Sequence, residues 1–322
     1  MEKSLAQHAA LIVVSIFLFV VTVFFRAASH THFIPGLFTS TIENVSETYP
    51  LEVSPDNWIF KTWIMIDVWN GSWLFYLFST LIRRNRFGTL CCNPPIHPPS
   101  FYLLWIGSTC LEIGGVFLVD RHFMAEALLI KVLVVLASFT MLSISYWNVY
   151  EYGHILKDSS PTEVWNIRYL VQNGLALHGT WNLIVTLLNL GIVLRYSIGM
   201  ENSVVSTLVL TLLLCATLLW FLLENVIFEK EMRYTFTVYP VVILAAGAMF
   251  TRNYIYNYIT NNTIYCGAIM IIAAVVCIIR LIATCFYDDK YRERTDPFGR
   301  SNISKQDLNS KFGIVNPHFM KN

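Results

Sequence analysis

The chain has 322 residues, of which 55% are hydrophobic and only 13% charged, and its formal net charge is +1. Soluble domains carry about a quarter charged residues, so a single soluble core has no room for this much apolar chain. The near-neutral balance, with no basic run, excludes the electrostatic footprint of a nucleic-acid-binding protein.

The apolar residues gather in eight runs of membrane length, each near the roughly 20 residues that cross about 30 Å of hydrocarbon. They cover residues 8–25, 58–82, 101–119, 126–150, 169–194, 204–228, 233–250 and 262–286. The expected fold class is all-α, a polytopic transmembrane helix bundle of about eight spans. The first run has the alternative of a signal peptide cleaved near Ala27-Ala28-Ser29, but its apolar part exceeds the usual 7–15 residues. A retained span is the expectation.

Residues 26–57 form a largely polar loop with Pro35, Pro50 and Pro55, expected to cover the outer end of the bundle. The run 58–82 carries a stripe of Phe60, Trp63, Asp67, Asn70, Leu74, Leu77 and Phe78 within roughly 100° on a helical wheel. A proline-rich connector, 93–100, follows on the expected cytosolic side. The third run holds Glu112. In the fifth, YLVQNGLALHGTWNLIVTLLNLGIVLR, the residues His178, Asn182 and Asn189 share a sector of roughly 40°. Such a polar stripe is costly against lipid, so this helix is expected to be an internal wall. The seventh run contains Pro240, read as a kink inside the bundle.

Counted from the span ends, Asp67, Glu112 and His178 lie near the membrane midplane, with Asn182 slightly further out. Charged groups at that depth cost several kcal/mol unless paired or hydrated, so the group is expected to share a polar cavity. Asn182 and Asn189 have a second reading as structural glue between helices. Lys131, Glu224 and Arg280 lie near span ends and are expected to reach the interface.

Orientation follows from the basic residues. With the N-terminus inside, fifteen of the 22 Lys and Arg fall on cytosolic segments, against Arg26, Arg121, Arg195 and Arg252 outside. Both termini are therefore expected in the cytosol. The sequons at Asn44 and Asn261 fall on the outer side and are expected to be glycosylated in a secretory-pathway or plasma membrane, whereas Asn302 is not. Cys110, Cys215 and Cys277 read as small buried hydrophobes, and Cys91, Cys92 and Cys285 as juxtamembrane thiols that palmitoylation could modify. Residues 287–322 form a polar, disordered tail in which Asp296-Pro297-Phe298 and Asn316-Pro317-His318-Phe319 resemble ligands of trafficking adaptors.

The segment Pro55, Trp58, Phe60, Trp63 resembles the Pro-x-Trp-x-Phe-x-x-x-Trp start of the second helix in the translocator, or tryptophan-rich sensory, protein family (TspO and its relatives). Trp181 followed by Thr186-Leu187-Leu188-Asn189 resembles that family's last-helix pattern. The resemblance covers about residues 1–196 and implies a TspO-like five-helix half around a pocket, with 197–286 a three-span extension. It implies a porphyrin- or sterol-like ligand, no other cofactor, and contacts at Trp58, Trp63, Trp181 and Asn189. Glu112 and Gly115 stand where the family's third helix carries Asn and Trp, so the lining differs.

The sequence is read as a multi-pass protein that binds or transports a hydrophobic small molecule, and not as an enzyme. The expected ligand-binding residues are Trp58, Trp63, Asp67, Asn70, Glu112, His178, Trp181, Asn182 and Asn189, with no metal. The expected partners are the lipid bilayer, that ligand, trafficking adaptors and a second copy of the chain. The alternatives are a seven-span receptor with its first run cleaved, and an intramembrane enzyme using Asp67, Glu112 and His178 as acid–base groups.

Overall fold

In a computed structural model, residues 2–31, 33–34, 36–85, 88–255 and 259–285 are described. The tail motifs and Asn302 lie outside the described residues. Residues 1–280 cluster as one compact unit; of the second unit, 281–322, only the last turn of the final helix is described.

The described chain is helical almost throughout. In order come α1 (Glu2–Thr31), α2 (Ile42–Thr48), α3 (Thr62–Ser79), α4 (Pro99–Asp120), α5 (Met124–Ser159), α6 (Pro161–Asn166), α7 (Asn173–Ile192), α8 (Asn202–Leu222), α9 (Glu229–Met232), α10 (Val238–Ile255) and α11 (Asn261–Cys285). A two-residue antiparallel hairpin, Arg84–Asn85 with Gly88–Thr89, follows α3. Short π-helical segments at Ile167–Gln172 and Val193–Ser197 run directly into and out of α7, so that Pro161–Ser197 is one continuous apolar element.

Seven of these elements are long and apolar enough to cross a membrane. Their outer faces expose Phe17, Val20, Leu129, Leu133, Leu136, Leu219, Ile271 and Val275, side chains that water would penalise and lipid accepts. The chain is an integral, multi-pass membrane protein. The element missing from the seven is α3: it has 18 residues, and Trp63, Asp67, Trp69, Asn70 and Trp73 lower its apolarity.

The packing places α7 at the centre. Contacts run from α1 to α3, α3 to α7, α7 to α5, α5 to α4 and α4 back to α1, and α8 and α10 also pack on α7. Its span is 56% buried, against 22–44% for the other six. Gly174 lets α3 approach closely: a Cβ there would stand 2.8 Å from Cδ1 of both Trp69 and Trp73. α11 joins α8 through Thr207 Oγ1, which donates to Asn262 Oδ1 at 2.8 Å.

The loop before α3 closes one end of the bundle. Asp120 at the end of α4 accepts from the backbone of Thr39 at 2.8 Å and of Ser40 at 3.0 Å. Arg195 donates to the Pro50 carbonyl at 2.7 Å, Asn253 to the Glu52 carbonyl at 2.6 Å, and Asn262 to the Glu52 carboxylate at 2.7 Å. One loop is thus fastened to four helical elements.

Several expectations are corrected. Pro240 lies in the first turn of α10, where a missing N–H leaves no bond unmade, so it makes no kink. Cys110 and Cys215 are exposed on the bundle's outer surface instead of buried. Glu224 and Arg280 do not reach for the interface: Arg280 Nε lies 2.6 Å from Glu224 Oε1, and Tyr239 donates to Glu224 Oε2 at 2.6 Å, all three buried. The connector near residue 97 packs inward, with Asn148 donating to the Ile96 carbonyl at 2.8 Å and His97 buried within 3.4 Å of Ser145 Oγ. That burial pushes the His97 imidazole down from an ordinary 6.5 to about 3.

Candidate functional site

The side chains at one depth meet in one cluster. Glu112 Oε1 on α4 accepts from His178 Nε2 at 3.0 Å and from Asn182 Nδ2 at 3.5 Å, both on α7. Glu112 Oε2 accepts from Arg26 Nη2 at 2.8 Å, and the other terminal nitrogen of Arg26 pairs with Asp67 on α3. The guanidinium also lies 3.9 Å above the Trp63 ring, a cation–π contact in a desolvated setting. Arg26 therefore joins α1, α3 and α4 through one planar, permanently charged group.

Asn70 and Trp73 of α3 hold His178 in place. Trp73 Nε1 donates to Asn70 Oδ1 at 2.9 Å, which turns the Asn70 amide nitrogen toward His178 Nδ1 at 3.2 Å. Nδ1 must then accept, and the ring proton sits on Nε2, facing Glu112. Asn182 spends its amide on the His178 carbonyl at 3.0 Å and on Glu112. At the other end of the polar stripe on α7, Asn189 Nδ2 donates to the Met124 carbonyl at 3.2 Å.

Beside this cluster is a cavity of about 170 Å³. Arg26, Glu112, Asn182 and Lys131 line it at one level, and Trp63 and Trp181 meet there edge to face at 5.9 Å. Its walls are Val116, Val119, Ile130, Ile184, Val185, Leu188 and Ile192, and Tyr49 and Leu51 of the covering loop complete it. Two residues of its lining each carry a buried polar atom with no partner: Trp181 Nε1 and Asn189 Oδ1. A larger cleft of about 790 Å³ between α5, α7, α8 and α10 holds none of the candidate residues, and its one acidic lining group is Glu231.

Of the residues singled out in the sequence, Trp63, Glu112, Trp181, Asn182 and Asn189 line the cavity. Asp67, Asn70 and His178 stand behind it and hold the liners. Trp58 is 40% exposed and lies apart from both. Asn44, on α2, and Asn261, at the start of α11, are exposed. Among the described residues no group of three His, Cys, Asp or Glu side chains is placed to hold a metal ion.

Two residues of the site depart from what the sequence leads one to expect. The sequence places Arg26 in the outer loop, but α1 continues to Thr31 and buries it to 6% exposure between two carboxylates. Lys131 was read as reaching the interface, but it lines the cavity. The signal for both was present: two carboxylates at one depth require cations there, and the chain offers few.

Fold and site define a class: an all-α membrane bundle with an ion-paired cluster facing an apolar internal cavity. The chain matches no described protein family, no curated protein and no solved structure.

Proposed function

We propose that the protein binds, or carries across the bilayer, a hydrophobic small molecule held in the cavity between α4, α5 and α7. One observation carries this reading: the residues around an apolar cavity include a lysine and two whose buried polar atoms have no partner, an arrangement that leaves hydrogen-bonding capacity unused inside a membrane protein. Unused buried capacity costs about 1–3 kcal/mol per group, which a ligand can recover.

The receptor reading, with the first run removed, has less support, because cleavage near Ala28 would take away α1 and with it the counter-ion of Asp67 and Glu112. The enzyme reading has less support because Asp67 and His178 do not line the cavity. Adding α3 to the seven apolar elements gives eight spans, with both termini in the cytosol and the covering loop outside. The secretory pathway or plasma membrane is the proposed location, and a TspO-like pocket the nearest analogy for the five-helix ring.

The test is mass spectrometry of small molecules that co-purify with the full chain and with Val185→Trp, which fills the cavity. A molecule present with the wild type and absent from the folded variant supports the reading. Identical profiles from the two proteins remove it.

A further inference from the structure

The polar groups left over in the cavity have a direction, and the direction specifies a ligand. This inference rests on the cavity being a binding site. At the deep end the unused groups are donors. Trp181 Nε1 is buried with no partner, and Lys131 makes no hydrogen bond or ion pair among the described residues, its interaction with Glu112 being through charge alone. Glu112 offers little in return, since Arg26, His178 and Asn182 already occupy its oxygens.

At the other end the unused group is an acceptor. The Asn189 amide nitrogen faces the Met124 carbonyl, which can only accept, so Oδ1 is the free atom, and the residue is 5% exposed. That bond sets Asn189 level with the first turn of α5. Lys131 lies seven residues further along α5, and Trp181 eight residues back along α7. At about 1.5 Å per residue, the two ends are roughly 10–12 Å apart. Val116, Ile184, Val185 and Leu188 lie between them.

We infer that the ligand is an elongated apolar molecule with an acceptor oxygen, a carboxylate or carbonyl, at one end and a hydroxyl or N–H donor at the other. The acceptor meets Lys131 and Trp181, and the donor meets Asn189. Lys131 and Trp181 are both donors, so either a neutral carbonyl or a carboxylate can be accepted at that end. An amine in place of the acceptor is not, because it would face Lys131 with nothing free to accept from it.

The experiment uses the full chain in phosphatidylcholine nanodiscs and follows thermal unfolding by tryptophan fluorescence. The probes are 8-hydroxyoctanoate, 8-hydroxyoctan-2-one, octanoate and octane-1,8-diamine, titrated to apparent affinities. The two hydroxylated acceptors should raise Tm most, octanoate less, and the diamine not at all; the acid and the ketone together separate a need for charge from a need for an acceptor. Lys131→Met should weaken the hydroxy acid by roughly tenfold to a hundredfold, and Asn189→Leu by roughly twofold to tenfold while leaving octanoate unchanged. Trp181→Phe, which keeps the ring and deletes the N–H, serves as a second variant should Lys131→Met fold poorly. The proposal is overturned if the diamine binds as well as the acids, if no probe shifts Tm, or if Lys131→Met and Trp181→Phe both preserve the wild-type order. Where no probe binds but Val185→Trp still strips a co-purifying molecule, the cavity reading stands and only this polar pattern falls.

Discussion

Arg26 and Glu112 are 86 residues apart in sequence and 2.8 Å apart in space. Their pairing, with Asp67 on the opposite nitrogen, decides how the three helices α1, α3 and α4 are held together. Removing one partner of a buried ion pair leaves the other charged and desolvated, which costs about 3–5 kcal/mol. Arg26→Met should therefore lower the thermal stability of the purified protein severely, and Arg26→Met combined with Asp67→Asn and Glu112→Gln should recover part of the loss. A single variant as stable as wild type would show that the pair holds nothing.

Asp67 and Glu112 should respond differently to neutralisation. Glu112 lines the cavity and Asp67 does not. Asp67→Asn is expected to shift the Tm of the empty protein while leaving the ligand-induced increment intact, and Glu112→Gln should change both. The readout is Tm with and without the co-purified ligand, with His178→Ala grouped with Glu112→Gln because it removes a donor to the same carboxylate. Equal increments across all the variants would separate the cluster from binding altogether.

Acid should destabilise the end of the bundle that contains His97. Its imidazole titrates at about 3 when folded and at its ordinary 6.5 when unfolded. The unfolded chain thus takes up the proton first. The contribution is complete above pH 6.5 and is lost as pH falls toward 3, at about 1.4 kcal/mol per pH unit. Between pH 6.5 and 5 this amounts to roughly 2 kcal/mol. Comparing Tm over that range for the wild type and His97→Gln isolates the effect: the variant should show a shallower slope, and parallel slopes would exclude His97 as the cause.

Gly174 should tolerate no side chain. Its missing Cβ would meet the ring edges of Trp69 and Trp73, which are bulky and held in the core beside α7. Gly174→Ala is expected to cost about 1–3 kcal/mol through overpacking, despite alanine's better helix propensity. Stability measured by denaturant titration would decide between them, a gain pointing to propensity.

Asn44 and Asn261 are exposed, as an acceptor asparagine must be. In cells, the wild type should run faster on a gel after glycosidase treatment, and Asn44→Gln with Asn261→Gln should not. Persistence of the shift in the double variant would refute the proposed outer face.

Much of the helical layout was legible because apolar runs and their lengths are local properties. The common level of Asp67, Glu112, His178 and Asn182 was legible too, since depth in a membrane helix is nearly linear in residue count. What could not be read was direction around the bundle. Nothing local to Arg26 says that the helix overruns its apolar part by two turns or that its partners lie 41 and 86 residues ahead. The same blindness put Cys110 and Cys215 inside and missed the Glu224–Arg280 pair: a wheel gives faces, and only packing says which neighbour fills each one.

The bridge at Arg26 also constrains how the protein is made. Synthesis runs from the N-terminus at about 5–20 residues per second, so the first helix is complete well before either carboxylate exists. Asp67 emerges 41 residues later and Glu112 another 45 after it, leaving an arginine without an acid for roughly 2–8 seconds and paired on one nitrogen only for several more. During that interval the nascent α1 must be held where a bare guanidinium is tolerated, at the insertion machinery or the lipid headgroups, and its final depth is reached only when α3 and α4 arrive.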